Sequence, residues 1–535
     1  MRVALAQINV TVGDIQGNTR RIIEAIAAAE QEGAGFTLLP ELAVTGYPPE
    51  DLLHKEHFVE DNLDALEMIS AVCGHMALVG YVDRWEGNLY NAMALCGNGA
   101  VLQRYYKRRL PNYGVFDEAR YFTPGEAPGL TELGGDLFAE TICEDLWVPE
   151  LAAEAAELGA RALFNISASP FHAGKGEERE EMLRQRARDN NVWLAYCNLV
   201  GGQDELVFDG RSAVISPGGE VVARGASFAE DLVIVDFTPG AKLGASGDLA
   251  PVMGPEEEVY EAIKLGLGDY VRKNGFADVV FGLSGGIDSA LVAAIAADAL
   301  GPEHVHGVLM PSRYSSEGSV SDSLELAEAL GIHTIELPVE APFQAFLDTL
   351  VPVFEGREPD VAEENLQARV RGTLVMGLSN KFGWLPLATG NKSELAVGYS
   401  TLYGDMVGGF APIKDVFKTR VYDLANWRNS QGDSPVIPQA IIDKPPSAEL
   451  REGQVDQDSL PPYPVLDAIL KHYVEKDDSR EAIVAMGFPS EIVERVIRMT
   501  DGAEYKRRQG PVGVKITPKA FGKDRRMPIT NGYIG

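Results

Sequence analysis

Cysteine is scarce in this chain. Its 535 residues carry four, Cys73, Cys96, Cys143 and Cys197, and no two form a C-x-x-C pair. That argues against a zinc knuckle or a dithiol redox motif, and a chain this long needs no disulfide framework. Positive charge is scarce as well: 47 Lys and Arg stand against 79 Asp and Glu, a net charge of −32. Such a balance disfavours nonspecific binding to nucleic acid or to anionic membranes. No apolar run approaches the roughly 18–20 residues of a membrane span. The first ten residues alternate like a short strand and do not read as a signal peptide. The chain is expected to be cytoplasmic, with neither membrane nor nucleic acid as a partner. No internal repeat or long low-complexity tract is visible.

What is present is enough apolar material, 45% of residues, to build sizeable cores, in a chain too long for one domain. Residues 1–240 alternate strand-like runs (2–10, 36–39, 77–82, 92–95, 161–166, 192–197, 212–215) with helical patterning over 18–31 and 176–190. Residues 219–222 and 232–236 read as closing strands. An α/β sandwich with mixed sheets is expected for domain 1–240. A Gly- and Pro-rich stretch then predicts a linker over 241–255. In domain 256–535, helices over 256–273, 321–330 and 364–381 alternate with strands over 278–283, 304–310 and 385–388. This pattern predicts a doubly wound parallel sheet. Residues 450–460 are polar and read as a surface loop.

The most informative stretch lies in the second domain. Gly282-Leu283 leads from an apolar strand into Ser284-Gly285-Gly286-Ile287-Asp288-Ser289, and an alanine-rich helix follows. A Gly/Ser turn at a helix N-terminus is an anion site, because free backbone N–H groups and the helix dipole converge there. Gly285 and Gly286 admit close backbone approach, and Ser284 and Ser289 can donate hydroxyl bonds. A bare carboxylate would repel phosphate, so Asp288 makes sense as a ligand for Mg²⁺. No G-x-x-x-x-G-K-[ST] occurs. The loop resembles instead that of the ATP pyrophosphatases, which implies ATP as co-substrate, cleaved to AMP and pyrophosphate.

In the first domain, three reactive residues each follow a strand-like run: Glu41, Lys107 and Cys143. Strand ends converge in space, so a carboxylate, an amine and a thiol could meet. A thiol nucleophile needs a base, which suits Glu41, and its oxyanion needs a cation, which suits Lys107. No histidine lies within twenty residues of Cys143, so no Cys–His pair is suggested locally. The words around them, Leu39-Pro40-Glu41-Leu42, Lys107-Arg108-Arg109-Leu110-Pro111 and Ile142-Cys143-Glu144-Asp145, resemble the carbon–nitrogen hydrolase (nitrilase) superfamily. The resemblance implies an αββα sandwich with a Glu41–Lys107–Cys143 triad. In glutamine-hydrolysing members it further implies Tyr113, Ser169 and Lys175 as glutamine contacts.

Thr389-Gly390-Asn391-Lys392-Ser393-Glu394 is a second strand-to-helix turn. Glu394 could give the metal a second carboxylate beside Asp288, and Lys418 could neutralise a leaving pyrophosphate. Residues 506–526 are strongly basic against a single acid, Asp524, which predicts a nearby anionic ligand. Together with Glu364–Arg369, Tyr403-Gly404-Asp405 and Glu504–Arg508, these words resemble the NAD synthetases over roughly 256–535, and the fusion resembles their glutamine-dependent branch. The resemblance implies that Asn365, Glu394 and Lys506 contact deamido-NAD, that Thr389 contacts ATP, and that the chain forms a homo-oligomer. Two alternatives stay open from sequence. The chain could amidate a different carboxylate, or it could be a simple amide hydrolase with a nucleotide-sensing domain.

Overall fold

The computed structural model describes residues 1–239 and 246–531. Residues 240–245 and 532–535, which include part of the expected linker and the end of the second expected domain, lie outside the described residues. The chain divides into two units, Met1–Gly254 and Pro255–Gly535.

The first unit is built on β1 (Arg2–Gln7), β2 (Phe36–Leu38), β3 (Met76–Trp85), β4 (Asn88–Gly97), β5 (Ala100–Tyr106), β6 (Gly129–Leu133), β7 (Asp136–Ile142), β8 (Ala162–Ser167), β9 (Trp193–Asn198), β10 (Val200–Gln203), β11 (Leu206–Asp209), β12 (Ala213–Ile215), β13 (Val221–Arg224), β14 (Asp231–Asp236) and β15 (Ser246–Gly247). Two mixed sheets result, in the orders β15-β14-β1-β2-β3-β4-β5 and β13-β12-β9-β8-β7-β6, with β10-β11 as a separate hairpin. Their inner faces meet in one core, where Val3, Leu5, Phe36 and Leu38 pack against Phe138, Phe164 and Trp193. Phe36 and Phe164 have ring centroids 5.1 Å apart. Fully burying one such ring contributes about 1.5–3 kcal/mol. The other face of β1 carries Ala4 and Ala6, small enough for α1 (Ile15–Gln31) to lie close. α1 and α2 (Glu56–Val72) cover the first sheet, while α3 (Pro149–Glu157) and α4 (Lys175–Asn190) cover the second. The layers are α-β-β-α, as expected.

The helix α2 was not legible in the sequence pattern. Its buried Phe58, Val59, Leu66 and Ile69 share the helix with exposed Met68 and Val72, which blurs the apolar stripe. Within the stretch expected as a linker, Ser246 and Gly247 pair with β14, and Arg224 N donates to Asp248 O at 2.9 Å. This part of the stretch is therefore built into the first unit.

In the second unit, α5 (Pro255–Lys273) precedes β16 (Val279–Gly282), α6 (Ile287–Leu300), β17 (Val305–Leu309), α7 (Glu317–Leu330), β18 (His333–Glu336), α8 (Glu340–Phe354), α9 (Val361–Phe382), β19 (Leu385–Pro386), α10 (Lys392–Val397) and α11 (Lys418–Asn429). The four strands are parallel, in the order β18-β17-β16-β19. The chain steps outward from β16 in one direction and then returns to its other side. The carboxyl ends of β16 and β19 therefore flank a topological switch point, where open α/β sheets bind ligands.

Candidate active sites

In the first unit the expected carboxylate and amine meet. Lys107 Nζ, directly after β5, donates to Glu41 Oε1 at 2.6 Å and to Glu118 Oε1 at 2.7 Å. Lys107 and Glu41 are fully buried. Cys143 follows β7 with φ of 44°, a left-handed conformation that costs a non-glycine residue about 1–3 kcal/mol and turns its side chain out of the strand line. The charges of Glu41, Lys107 and Glu118 all act on its thiol. Asp145 stitches the two strand ends together. It accepts Ile142 N at 3.0 Å on the Cys143 side and Arg108 N and Arg109 N at 3.1 and 2.8 Å on the Lys107 side. A glycine is required at position 80, since a Cβ there would stand 2.3 Å from Pro40 O, against the loop that presents Glu41.

Glu118 went unrecognised in the sequence. It sits on a single 3-10 turn, Glu118–Arg120, in a polar connection with no strand or helix signal. Yet it is buried, accepts Tyr47 OH at 2.9 Å, and shares Asn91 Nδ2 with Glu41 at 3.4 and 2.7 Å. Burial pushes its carboxyl up, Lys107 partly offsets this, Glu41 adds to it, and the result is about 7. Burial, then Glu41, also raises the Cys143 thiol well above its ordinary value, against the pull of Lys107. The resting sulfur is therefore a thiol, and attack on a carbonyl requires a neighbouring base.

The three residues expected at glutamine surround this centre. Tyr113 is exposed, and its hydroxyl donates to both Glu144 oxygens at 3.1 Å. Lys175, in the first turn of α4, holds its ammonium 3.8 Å over the Trp147 ring and 3.3 Å from Glu178. Glu144 and Trp147 belong to the turn that begins at Cys143, so both residues stand beside the nucleophile. Ser169 is buried next to Ala168, whose N–H donates to Glu41 Oε2 at 2.8 Å.

The second unit holds a cavity of about 450 Å³ at the switch point. Gly282, Leu283, Ser284, Gly286, Ile287, Asp288, Ser289, Thr389 and Lys418, all expected at ATP, line it. So do Asn365, Glu394 and Lys506, expected at deamido-NAD. Gly285 is not among the lining residues. It lies with φ of 72° against Ser319, where a Cβ would come within 2.4 Å of Ser319 O. Glycine is therefore needed at this position for the turn to form. Ser284 and Ser289 close the turn, with hydroxyls 3.1 Å apart.

Asn391 joins the two strand-end loops. It caps α10 by accepting Glu394 N at 3.0 Å, and its amide donates to Asp288 Oδ1 at 2.9 Å. Lys418 Nζ bonds Asp288 Oδ2 and donates to Glu394 Oε1 at 3.3 Å. Burial opposes the Lys418 charge, but the two carboxylates outweigh it and raise its pKa. Burial pushes Glu394 up to about 8 despite Lys418, with Asp288 and Asp456 contributing. The two carboxylates expected at a metal thus converge on one cation. Among the described residues no three Asp, Glu, His or Cys side chains form a metal cage by themselves. A pair of hard oxygen donors facing a phosphate loop fits Mg²⁺, which takes one or two carboxylates together with substrate phosphates.

Two sequence expectations change here. The stretch 450–460 is not simply a surface loop, because Leu450, Gln454 and Asp456 line the cavity. Asp456 is 4% exposed and accepts Tyr463 OH at 2.7 Å. The basic stretch 506–526 is mostly paired within the unit. Arg507, Arg508 and Arg525 all hold Glu504, at 2.9, 2.9 and 3.2 Å. Lys519 pairs with Asp477. Lys506 is the member of the stretch that lines the cavity, donating to Gly398 O at 2.7 Å and Ser400 O at 2.8 Å.

Comparison with known proteins matches both units. A carbon–nitrogen hydrolase family model matches residues 2–241, and an NAD synthase model matches residues 259–510. The glutamine-dependent NAD(+) synthetase of Thermotoga maritima is 48% identical, with 100% of this chain and 99% of that protein covered. That of Acinetobacter baylyi is 46% identical over 99% of this chain and 98% of its own length. Among solved structures, the glutamine-dependent NAD+ synthetase from Acinetobacter baumannii in complex with ADP superposes with a TM-score of 0.82 at 44% identity, covering 99% of this chain and 98% of that one.

Proposed function

The chain belongs to the family of glutamine-dependent NAD(+) synthetases, and from that premise we propose how its two units divide the reaction. The enzyme converts deamido-NAD to NAD with ATP, takes nitrogen from glutamine, and releases AMP, pyrophosphate and glutamate through an acyl adenylate. The supporting observation is that one chain carries both a buried carboxylate–amine–thiol centre and a phosphate loop at a switch point.

In the first unit, Tyr113, Ser169 and Lys175 hold glutamine, and Lys175 suits its α-carboxylate. Glu41 takes the Cys143 proton as the sulfur attacks the amide carbon. Lys107, fixed between two carboxylates, stabilises the tetrahedral oxyanion. Collapse expels ammonia as Glu41 returns the proton to the leaving nitrogen. Water, deprotonated by Glu41, then hydrolyses the thioester to free glutamate and the thiol.

In the second unit, the turn from Gly282 to Ser289 and Thr389 bind ATP, and Asn365, Glu394 and Lys506 bind deamido-NAD. The nicotinate carboxylate attacks the α-phosphorus, and Lys418 neutralises the departing pyrophosphate. Asp288 and Glu394 would hold Mg²⁺, which when bound stabilises charge on the phosphates. Ammonia then displaces AMP from the adenylate. No helix among the described residues is long and apolar enough to cross a membrane. A cytoplasmic homo-oligomer is part of this reading.

An acceptor comparison tests it. With ATP, Mg²⁺ and glutamine, pyrophosphate release should depend on deamido-NAD and not on nucleotide or amino-acid carboxylates. Pyrophosphate release with one of those acceptors in its place would contradict the substrate assignment. Lys506 supplies a finer prediction. Burial lowers its pKa, offset in part by Asp405, so a pyrophosphate-bearing substrate would be a favourable partner for its charge. Lys506→Ala should lower kcat/KM for deamido-NAD by about 1–3 kcal/mol at saturating ATP and ammonia, with glutaminase activity little changed. An unchanged kcat/KM would remove Lys506 from the substrate site.

A further inference from the structure

The parallel strands β8 and β9 end side by side, with Ser167 opposite Asn198. As the chain leaves β8, two successive amides point to different acceptors. Ala168 N–H donates to Glu41 Oε2 at 2.8 Å, and Ser169 N–H donates to Asn198 Oδ1 at 3.0 Å. The Asn198 amide has one workable orientation. Its Nδ2 donates to Asp209 Oδ1 at 3.2 Å and to Gly210 O at 3.0 Å, both of which only accept, so its oxygen faces Ser169. Asp209 is locked in turn by Arg179, through bonds of 3.0 and 2.7 Å, with both side chains 2% exposed. Arg179 lies one turn along α4 from Lys175.

We propose that Asn198 is a positioning residue for glutamine hydrolysis, holding the Ala168–Ser169 segment so that Glu41 is aimed at Cys143. Asn198 is fully buried and acts only through its neighbours. The peptide planes on either side of the Ala168 Cα are coupled. If Ser169 N–H loses its acceptor, the segment turns and the Ala168 N–H leaves Glu41. The rigid relay Arg179–Asp209–Asn198 thereby ties the helix that carries Lys175 to the catalytic base. The inference rests on the glutaminase reading of the first unit.

The test uses the full chain with Asn198→Ala, and with Asn198→Asp as a variant of unchanged size. In the latter a carboxylate faces Asp209 where an amide donated. Glutamine kcat and KM, ammonia-driven NAD formation, and the rate of Cys143 alkylation by iodoacetamide are measured. Both variants should lose roughly 10- to 100-fold in glutamine kcat, the scale set by small misplacements of catalytic groups. KM should change less than about threefold, Cys143 alkylation should slow in parallel, and ammonia-driven synthesis should stay within about twofold of the parent. A purely structural role would leave alkylation of Cys143 unchanged. The proposal is overturned if glutamine kcat holds within about twofold in a folded variant, if alkylation is unaffected, or if both nitrogen routes fall together. Should the parent chain itself release no glutamate from glutamine, the glutaminase reading fails and takes this inference with it.

Discussion

Cys143→Ala should abolish glutamine-driven NAD formation, by roughly a thousandfold or more, while ammonia-driven formation continues near the parent rate. In the proposed mechanism the thiol forms the acyl bond to glutamine, and an alanine methyl cannot replace it. Glu41 and Glu118 would still be held at 2.6 and 2.7 Å around the Lys107 ammonium, so the remaining centre stays assembled but cannot open the amide. The adenylating site proposed in the second unit depends on Cys143 only for its ammonia. Removing one sulfur from a buried site costs little stability beside this loss, because alanine fills most of the space. Steady-state rates with each nitrogen source decide the matter. Loss of both routes in a folded variant would contradict the division of labour.

Asp288→Asn should suppress synthesis from either nitrogen source, by roughly a hundredfold or more. Its carboxylate does two things that an amide cannot. It stands in the turn proposed to bind phosphate as a hard anionic donor, and it holds the Lys418 ammonium jointly with Glu394. An Asn side chain keeps the shape and can still meet Asn391, but it removes a charge from the site proposed to gather cations around a triphosphate. Glutamate release without acceptor should persist, since the first unit is untouched. Near-normal ammonia-driven turnover at ordinary Mg²⁺ would show that Asp288 does not hold the metal.

The framework was legible in the sequence, and several candidate site residues stood out because each closely follows a strand-like run. Glu41, Lys107 and Cys143 follow β2, β5 and β7 closely, and Ser284–Ser289 follows β16. The residues that escaped notice lack such a local signal. Glu118 sits on one turn in a polar loop, and Asn91 and Asn198 lie in elements whose periodicity speaks only of burial. What distinguishes them is a hydrogen-bond partner far away in the chain, which no window of sequence contains. Asp456 was hidden for the opposite reason. Its polar surroundings matched a solvated loop, and only the packing of Tyr463 and the cavity reveals a buried carboxyl. The basic stretch is legible only in part, since Arg507, Arg508, Arg525 and Lys519 answer Glu504 and Asp477, while Lys506 lines the cavity.

The central claim is that glutamine nitrogen released in the first unit becomes the amide of NAD through an adenylate made in the second. One reaction tests it: amide-¹⁵N-labelled glutamine, ATP, Mg²⁺ and deamido-NAD, with products followed by mass spectrometry. The account predicts ¹⁵N in the nicotinamide group, with AMP, pyrophosphate and glutamate formed in step with NAD. Labelled ammonia and glutamate accumulating without NAD, or ADP and phosphate in place of AMP and pyrophosphate, would contradict it.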